Sequence, residues 1–220
     1  MFKKNRTFFI LFGLFLIIGG ILLSIIEQGD AIRFFSERRS MLGDSFFSLF
    51  TKVGEELVYI SLFIGFLFVR YRHSLLVLIA ALLALVVSYV LKSIFAHPRP
   101  SVYFRDEGIL EQINLIDGVY LLGGHMSFPS GHTTSAFILF GLLAFLFAKK
   151  WYWNAAFFLI ALLIGISRMY LVQHFLKDVY TGAITGVVLA MLIYWVNEKY
   201  PYDEGRWLDR SLVWGRKDRV

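Results

Sequence analysis

The chain has no cysteine among its 220 residues, which excludes disulfides, thiolate metal sites and cysteine nucleophiles. Charge is scarce too: Asp, Glu, Lys and Arg supply 17% of the residues, while hydrophobic types supply 58%. With a mean hydropathy of +0.66, that balance does not fit a soluble domain and sets aside a nucleic-acid-binding role. Also missing are internal repeats, low-complexity tracts and any carboxylate cluster of the kind that holds magnesium. What remains is the composition of an all-α polytopic membrane protein with short loops.

Apolar runs occupy residues 8–26, 57–69, 74–91, 133–148, 151–166 and 179–196. The shorter ones can extend into their flanks, with Glu55, Lys149 or Lys150 snorkelling to the interface. Six transmembrane helices are therefore predicted, at about 8–26, 55–69, 74–96, 131–148, 151–168 and 178–196. The first is read as a retained helix rather than a cleaved signal, because no small-x-small site precedes Glu27. Residues 1–220 form a single membrane domain on this reading, with 197–220 as a basic tail.

The formal net charge of +6 is unevenly placed. Lys3, Lys4 and Arg6 precede the first span, and Arg206, Arg210, Arg216, Lys217 and Arg219 crowd the end, interleaved with Trp207 and Trp214. The Arg70-Tyr71-Arg72-His73 and Lys149-Lys150 turns are basic as well. Six helices put all four segments on one side, which the positive-inside rule makes cytoplasmic. Residues 27–56, 98–130 and about 170–177 then face outward. Within the first of these, 29–52 interleaves Ile32, Phe34, Phe35, Met41, Leu42, Phe46, Phe47 and Phe50 with charges, an amphipathic helical segment for the interface. In the second, the loop 101–127 sets Asp106, Glu107, Glu111 and Asp117 against one Arg105, and its length suggests a lid or substrate-selecting element. Trp151, Trp153, Tyr194 and Trp195 fit an aromatic belt on the cytoplasmic side.

Three polar clusters interrupt the apolar sequence, all at the outward ends of spans. Charges beside membrane spans are expensive, so their placement bears on function. Lys92 and Arg99 are seven residues apart; if the third helix runs to Ala96, both share one face and offer a point charge and a planar fork to one anion. Pro98 and Pro100 end that helix. Next, Ser130 is a natural N-cap before the fourth span, Gly131 allows close approach to the backbone, and free N–H groups at a helix start attract anions. His132 falls in the first turn. Last, Arg168, His174 and Asp178 surround the junction of the fifth and sixth spans. Four residues separate His174 from Asp178, so a helical segment would pair them, fixing the tautomer and raising the nucleophilicity of the second ring nitrogen. Each cluster also has a plain explanation: interfacial cations, a helix cap, or a salt bridge. Together they supply clamping cations, a nucleophile and an acid, the needs of phosphoryl transfer.

The pattern Lys92-x6-Arg99-Pro100, Pro129-Ser130-Gly131-His132 and Ser167-Arg168-x5-His174-x3-Asp178 resembles the three-part signature of the type 2 phosphatidic acid phosphatase superfamily, and its membrane lipid phosphatase branch in particular. The resemblance implies that His174 attacks phosphorus, Asp178 orients it and His132 protonates the leaving oxygen. It also implies that Lys92, Arg99, Ser130, Gly131 and Arg168 bind the phosphate, and that neither a metal nor another cofactor is needed. Substrates would be phospholipids or isoprenoid phosphates: phosphatidic acid, phosphatidylglycerol phosphate, undecaprenyl diphosphate or lipid A. The location would be the cell (inner) membrane, with both termini cytoplasmic and the site facing the periplasm or outside. The same residues would serve a phosphotransferase with a lipid or sugar acceptor. A transporter would need its charges nearer the midplane. His97, His125 and His73 are read as loop residues without a catalytic part, and Glu55 and Glu56 as a cap or snorkelling pair.

Overall fold

The computed structural model describes residues 1–201, 203 and 206–213, and their regular structure is entirely helical. Trp214, Arg216, Lys217 and Arg219 of the expected basic tail lie outside the described residues. In chain order the helices are α1 (Arg6–Ile25), α2 (Asp30–Glu37), α3 (Met41–Phe50), α4 (Glu56–Leu67), α5 (Tyr71–Phe95), α6 (Pro100–Asp106), α7 (Gly131–Phe147), α8 (Trp151–Tyr170) and α9 (Leu176–Glu198). Short 3₁₀ turns occupy Thr51–Gly54, Leu110–Gln112 and Trp207–Asp209.

Four stretches are long and apolar enough to cross a membrane: α1, α8, α9, and Tyr71–Asp106, which a bend divides into α5 and α6. Two further helices, α4 and α7, are apolar but shorter. At 1.5 Å per residue, the 12 residues of α4 reach only about 18 Å, short of a ~30 Å hydrocarbon core. Outward-facing Ile10, Leu14, Ile17, Ile18 and Ile21 leave most of α1 exposed. An exposed apolar face of that length suits lipid rather than water.

At the centre stands α7, buried along most of its length and packed by α9, α8 and α5, with α1 against α8 and α9. A helix apolar all round belongs in the interior. The α7–α9 contact is close because small residues line it. A Cβ on Gly182 would meet the Ser130 carbonyl oxygen at 2.8 Å, and one on Gly186 would meet Phe137 Cβ at 2.6 Å. Farther along, Gly141 lies against Ala190, and the Phe145 and Tyr194 rings are 5.9 Å apart. The numbers rise together, so the two helices run parallel and begin at the same end. Tyr194 is thereby buried in the core, which removes it from the expected aromatic belt; Trp151, Trp153 and Trp195 are exposed.

The amphipathic segment forms α2 and α3, and it docks on the bundle instead of only skirting it. Phe47 packs on the Tyr170 ring at 4.4 Å, Tyr170 donates its hydroxyl hydrogen to Asp44 at 2.7 Å, and Arg39 donates to the Tyr170 and Asn114 carbonyls. Met41, Leu42 and Leu49 remain exposed. At the other end of α5, Arg72 forms a buried 2.7 Å ion pair with Asp209 and donates to the carbonyl of Tyr200, tying residues after α9 back to the bundle.

Candidate active site

The end of α5 places the first pair of cations. Its helix stops at Phe95, and Ala96 turns left-handed with φ 44°. Arg99 therefore does not share a helical face with Lys92, as the seven-residue step suggested; Pro98 and Pro100 enforce an extended exit, and Arg99 is the N-cap of α6. It arrives at the site by that reversal, with its backbone N–H on the Gly124 carbonyl at 3.0 Å and Nη1 on the Gln173 carbonyl at 3.3 Å. Lys92 lies on the last turn of α5, facing the start of α7.

Ser130 caps α7 as expected: its Oγ accepts from the Thr133 N–H at 3.4 Å and from the Thr133 hydroxyl at 2.9 Å. Its own N–H donates to the Asp178 carbonyl at 3.0 Å, stitching the start of α7 to the start of α9. A Cβ on Gly131 would sit 3.4 Å from Lys92 Nζ, so a side chain there would fill the space beside the ammonium. His132, one residue on, lies within electrostatic reach of Arg168, His174, Lys92 and Arg99.

The turn between α8 and α9 places the rest. The Arg168 carbonyl accepts from the N–H groups of Gln173 and His174 at 2.9 and 3.2 Å, wrapping the chain around the end of α8. Val172 takes φ 57°, a left-handed conformation that costs a β-branched residue about 1–2 kcal/mol. His174 precedes α9, so its pairing with Asp178 does not come from helical periodicity. Asp178 sits in the first turn of α9 and folds its carboxylate back: Oδ2 accepts from the Phe175 N–H at 3.1 Å and lies 3.3 Å from His174 Nδ1. Both side chains are inaccessible, at 2% and 0% exposure. Burial, opposed by Asp178, pushes the His174 imidazole down to about 4, so it is neutral at pH 7.

The site gathers more than the three clusters contain. Ser127, fully buried, donates its hydroxyl hydrogen to Asp178 Oδ2 at 2.5 Å, and its Oγ lies 3.4 Å from His174 Nδ1. Thr51, in the turn after α3, accepts a 2.7 Å hydrogen bond from Arg168 Nη1. Neither residue belongs to a recognisable sequence pattern; Ser127 merely precedes Phe128-Pro129, and Thr51 lies 117 positions from its partner. Glu55 stands within electrostatic reach of Arg168 and occupies the N-cap position of α4, at the helix start as expected, without a side-chain capping hydrogen bond. Among the other histidines, His73 is at the far end of α5 between Phe66 and Phe147, His125 is exposed, and His97 approaches Lys177.

Two openings reach this cluster. A basin of about 650 Å³ is bounded by Lys52, Glu55, Asp117, Tyr120 and Gln173, and exposes His132 and Arg168. An apolar cleft between α4 and α5, lined by Tyr59, Ile60, Leu82 and Leu85, ends at His132 and Gly131. Part of the outer loop thus rims the basin, and Gln173 fastens it by donating to the Tyr120 carbonyl at 3.0 Å. Among the described residues, no group of three or more His, Asp or Glu side chains is arranged to hold a metal ion.

Comparison with known proteins agrees with this geometry. Residues 73–201, which include all three clusters, match the model of the PAP2 superfamily. The lipid A 4'-phosphatase of Porphyromonas gingivalis is 30% identical over 171 residues, covering 76% of this chain and 70% of that protein. The crystal structure of Aquifex aeolicus LpxE superposes with a TM-score of 0.63 at 31% identity, over 74% of this chain and 92% of that one. A phosphatidylglycerolphosphate phosphatase from Bacillus subtilis shares the fold over 94% of this chain and 100% of that one, with a TM-score of 0.56 at 22% identity. The chain belongs to the PAP2 superfamily, as a multi-pass membrane enzyme of its lipid phosphate phosphatase branch.

Proposed function

We propose that this protein removes phosphate from a membrane lipid through a phosphohistidine on His174. The observation that carries the reading is a buried, neutral imidazole held by Asp178 within electrostatic reach of Arg168 and Arg99, with Lys92 in reach of the same carboxylate. With Nδ1–H held by the carboxylate, Nε2 keeps its lone pair for phosphorus. The N–P bond forms as the ester P–O bond breaks, and His132 gives its proton to the departing oxygen. Water, deprotonated by His132, then attacks phosphorus; the N–P electrons return to Nε2 and inorganic phosphate leaves. The three cations, the capped start of α7 and the open space beside Gly131 hold the phosphoryl oxygens and stabilise the charge of the transition state. None of these steps uses a metal or another cofactor.

The substrate is a lipid phosphate or diphosphate of the lipid A, phosphatidylglycerol phosphate, phosphatidic acid or undecaprenyl diphosphate type. The apolar cleft between α4 and α5 supports a lipid, because it leads from the exposed flank of the bundle to Gly131. The Porphyromonas gingivalis relative is named for lipid A. We assign six spans to α1, α4, α5, α7, α8 and α9, in one domain, with both termini and the basic tail on the cytoplasmic side of the cell membrane. The site then opens at the outer surface, as the positive-inside rule requires of the basic turns.

The test is phosphate release by detergent-purified wild-type and H174A proteins on a panel of those four lipids. Wild-type release with loss in H174A, together with a labelled, acid-labile phosphoenzyme only in the wild type, is expected. Full activity in H174A overturns the mechanism.

A further inference from the structure

We infer that Ser127 is a positioning residue of the nucleophile, fixing the His174 tautomer through both Asp178 and its own oxygen. The inference rests on His174 being the nucleophile. Ser127 comes from the end of the long outer loop, is fully buried, and is held by its backbone N–H on the His97 carbonyl at 3.1 Å. Its hydroxyl has one hydrogen, and the short 2.5 Å contact commits that hydrogen to Asp178 Oδ2, which as a carboxylate can only accept. The lone pairs of Oγ are then what remains to face His174 Nδ1 at 3.4 Å.

That arrangement decides the imidazole's proton. Nδ1 looks onto two acceptors, Asp178 Oδ2 at 3.3 Å and Ser127 Oγ at 3.4 Å, and satisfies both only by carrying the hydrogen. Nε2 is left without a hydrogen, on a ring within electrostatic reach of Arg168 and Arg99. A carboxylate alone could achieve this, but among the described residues all the partners of the Asp178 carboxylate gather on Oδ2. Besides His174, Oδ2 takes the Ser127 hydroxyl and the Phe175 N–H, and the hydroxyl contact is the shorter. Ser127 thus does two things from one atom: it stops the carboxylate from rotating away, and it blocks the wrong tautomer by presenting no donor to Nδ1.

Loss of a hydrogen bond to a charged group corresponds to about 10- to 100-fold in rate. For S127A we expect kcat to fall by about that factor with KM within about twofold, since Ser127 does not reach the phosphate clamp. The pH profile distinguishes positioning from a merely structural part. Without the Ser127 hydrogen, the carboxylate draws a second proton onto His174 more readily, so the acidic limb of kcat/KM moves to higher pH. A folding defect would lower the profile evenly at every pH. S127T, which keeps the hydroxyl, should retain the wild-type limb. If S127A cannot be recovered, S127C makes the same test, because a thiol is a weak donor of similar size. Wild-type kcat and limb in S127A or S127C overturn the inference, as does a pH-independent loss or a shifted limb in S127T. An active H174A would instead remove the mechanism on which the inference rests.

Discussion

Gly182 offers a sharp test of how the fold holds the site. A Cβ at this position would lie 2.8 Å from the Ser130 carbonyl oxygen, 3.2 Å from Thr133 Cβ and 3.3 Å from Thr134 Oγ1. An ordinary contact is about 3.5 Å, so the start of α7 must move away from α9 by about 0.7 Å. Alanine gains up to ~1 kcal/mol in helix propensity, but overpacking costs about 1–3 kcal/mol, leaving G182A less stable by about 1–2 kcal/mol. The displaced element carries Ser130, Gly131 and His132, while the fixed one carries Asp178. A misplacement of about 1 Å costs up to ~10²-fold in rate, so kcat should fall about 10- to 100-fold. Gly65 on α4 is the control, since a Cβ there meets nothing within 4 Å. G65A should be neutral or slightly stabilising. Thermal unfolding in detergent, followed by tryptophan fluorescence, and phosphate release per folded molecule measure both effects. Wild-type melting and turnover in G182A, or equal damage from G65A, would refute the reasoning.

Two further outcomes are expected. T51V removes the acceptor of a buried Arg168 hydrogen bond and should cut kcat about 10-fold, with T51S restoring it; unchanged kcat in T51V would show that Arg168 needs no such support. D209A breaks the buried pair with Arg72 and should cost about 3–5 kcal/mol, because it strands a buried guanidinium. Arg72 and Lys92 are about 30 Å apart along α5, so turnover per folded molecule in D209A should stay within about twofold of wild type; a melting curve and a specific-activity measurement check each half.

The apolar helices are legible in the sequence because each is an apolar run set off by polar or charged residues, although α4 and α7 are shorter than the rest. The expected 151–168 and 178–196 correspond to Trp151–Tyr170 and Leu176–Glu198, and the expected 131–148 to Gly131–Phe147. Periodicity failed at the site itself. Helical spacing joins Lys92 with Arg99, and His174 with Asp178, yet in space a left-handed turn at Ala96 and a folded-back capping carboxylate bring them to the site. Helix ends are where i, i+4 logic lapses and backbone reversals take over. Ser127 and Thr51 were invisible for a different reason: single hydroxyls become meaningful only when a fold sets them against a carboxylate or a guanidinium distant in sequence.

The parallel run of α7 and α9 has an electrostatic consequence. Each helix start carries roughly half a positive charge, and here two such starts are pressed together by glycine, beneath three cationic side chains. Side-by-side parallel dipoles repel, and the Asp178 carboxylate in the first turn of α9, with Oδ2 on the Phe175 N–H, offsets only one of the two. On the proposed function, a phosphoryl group seated beside Gly131 would brace the two helix starts as well as react there.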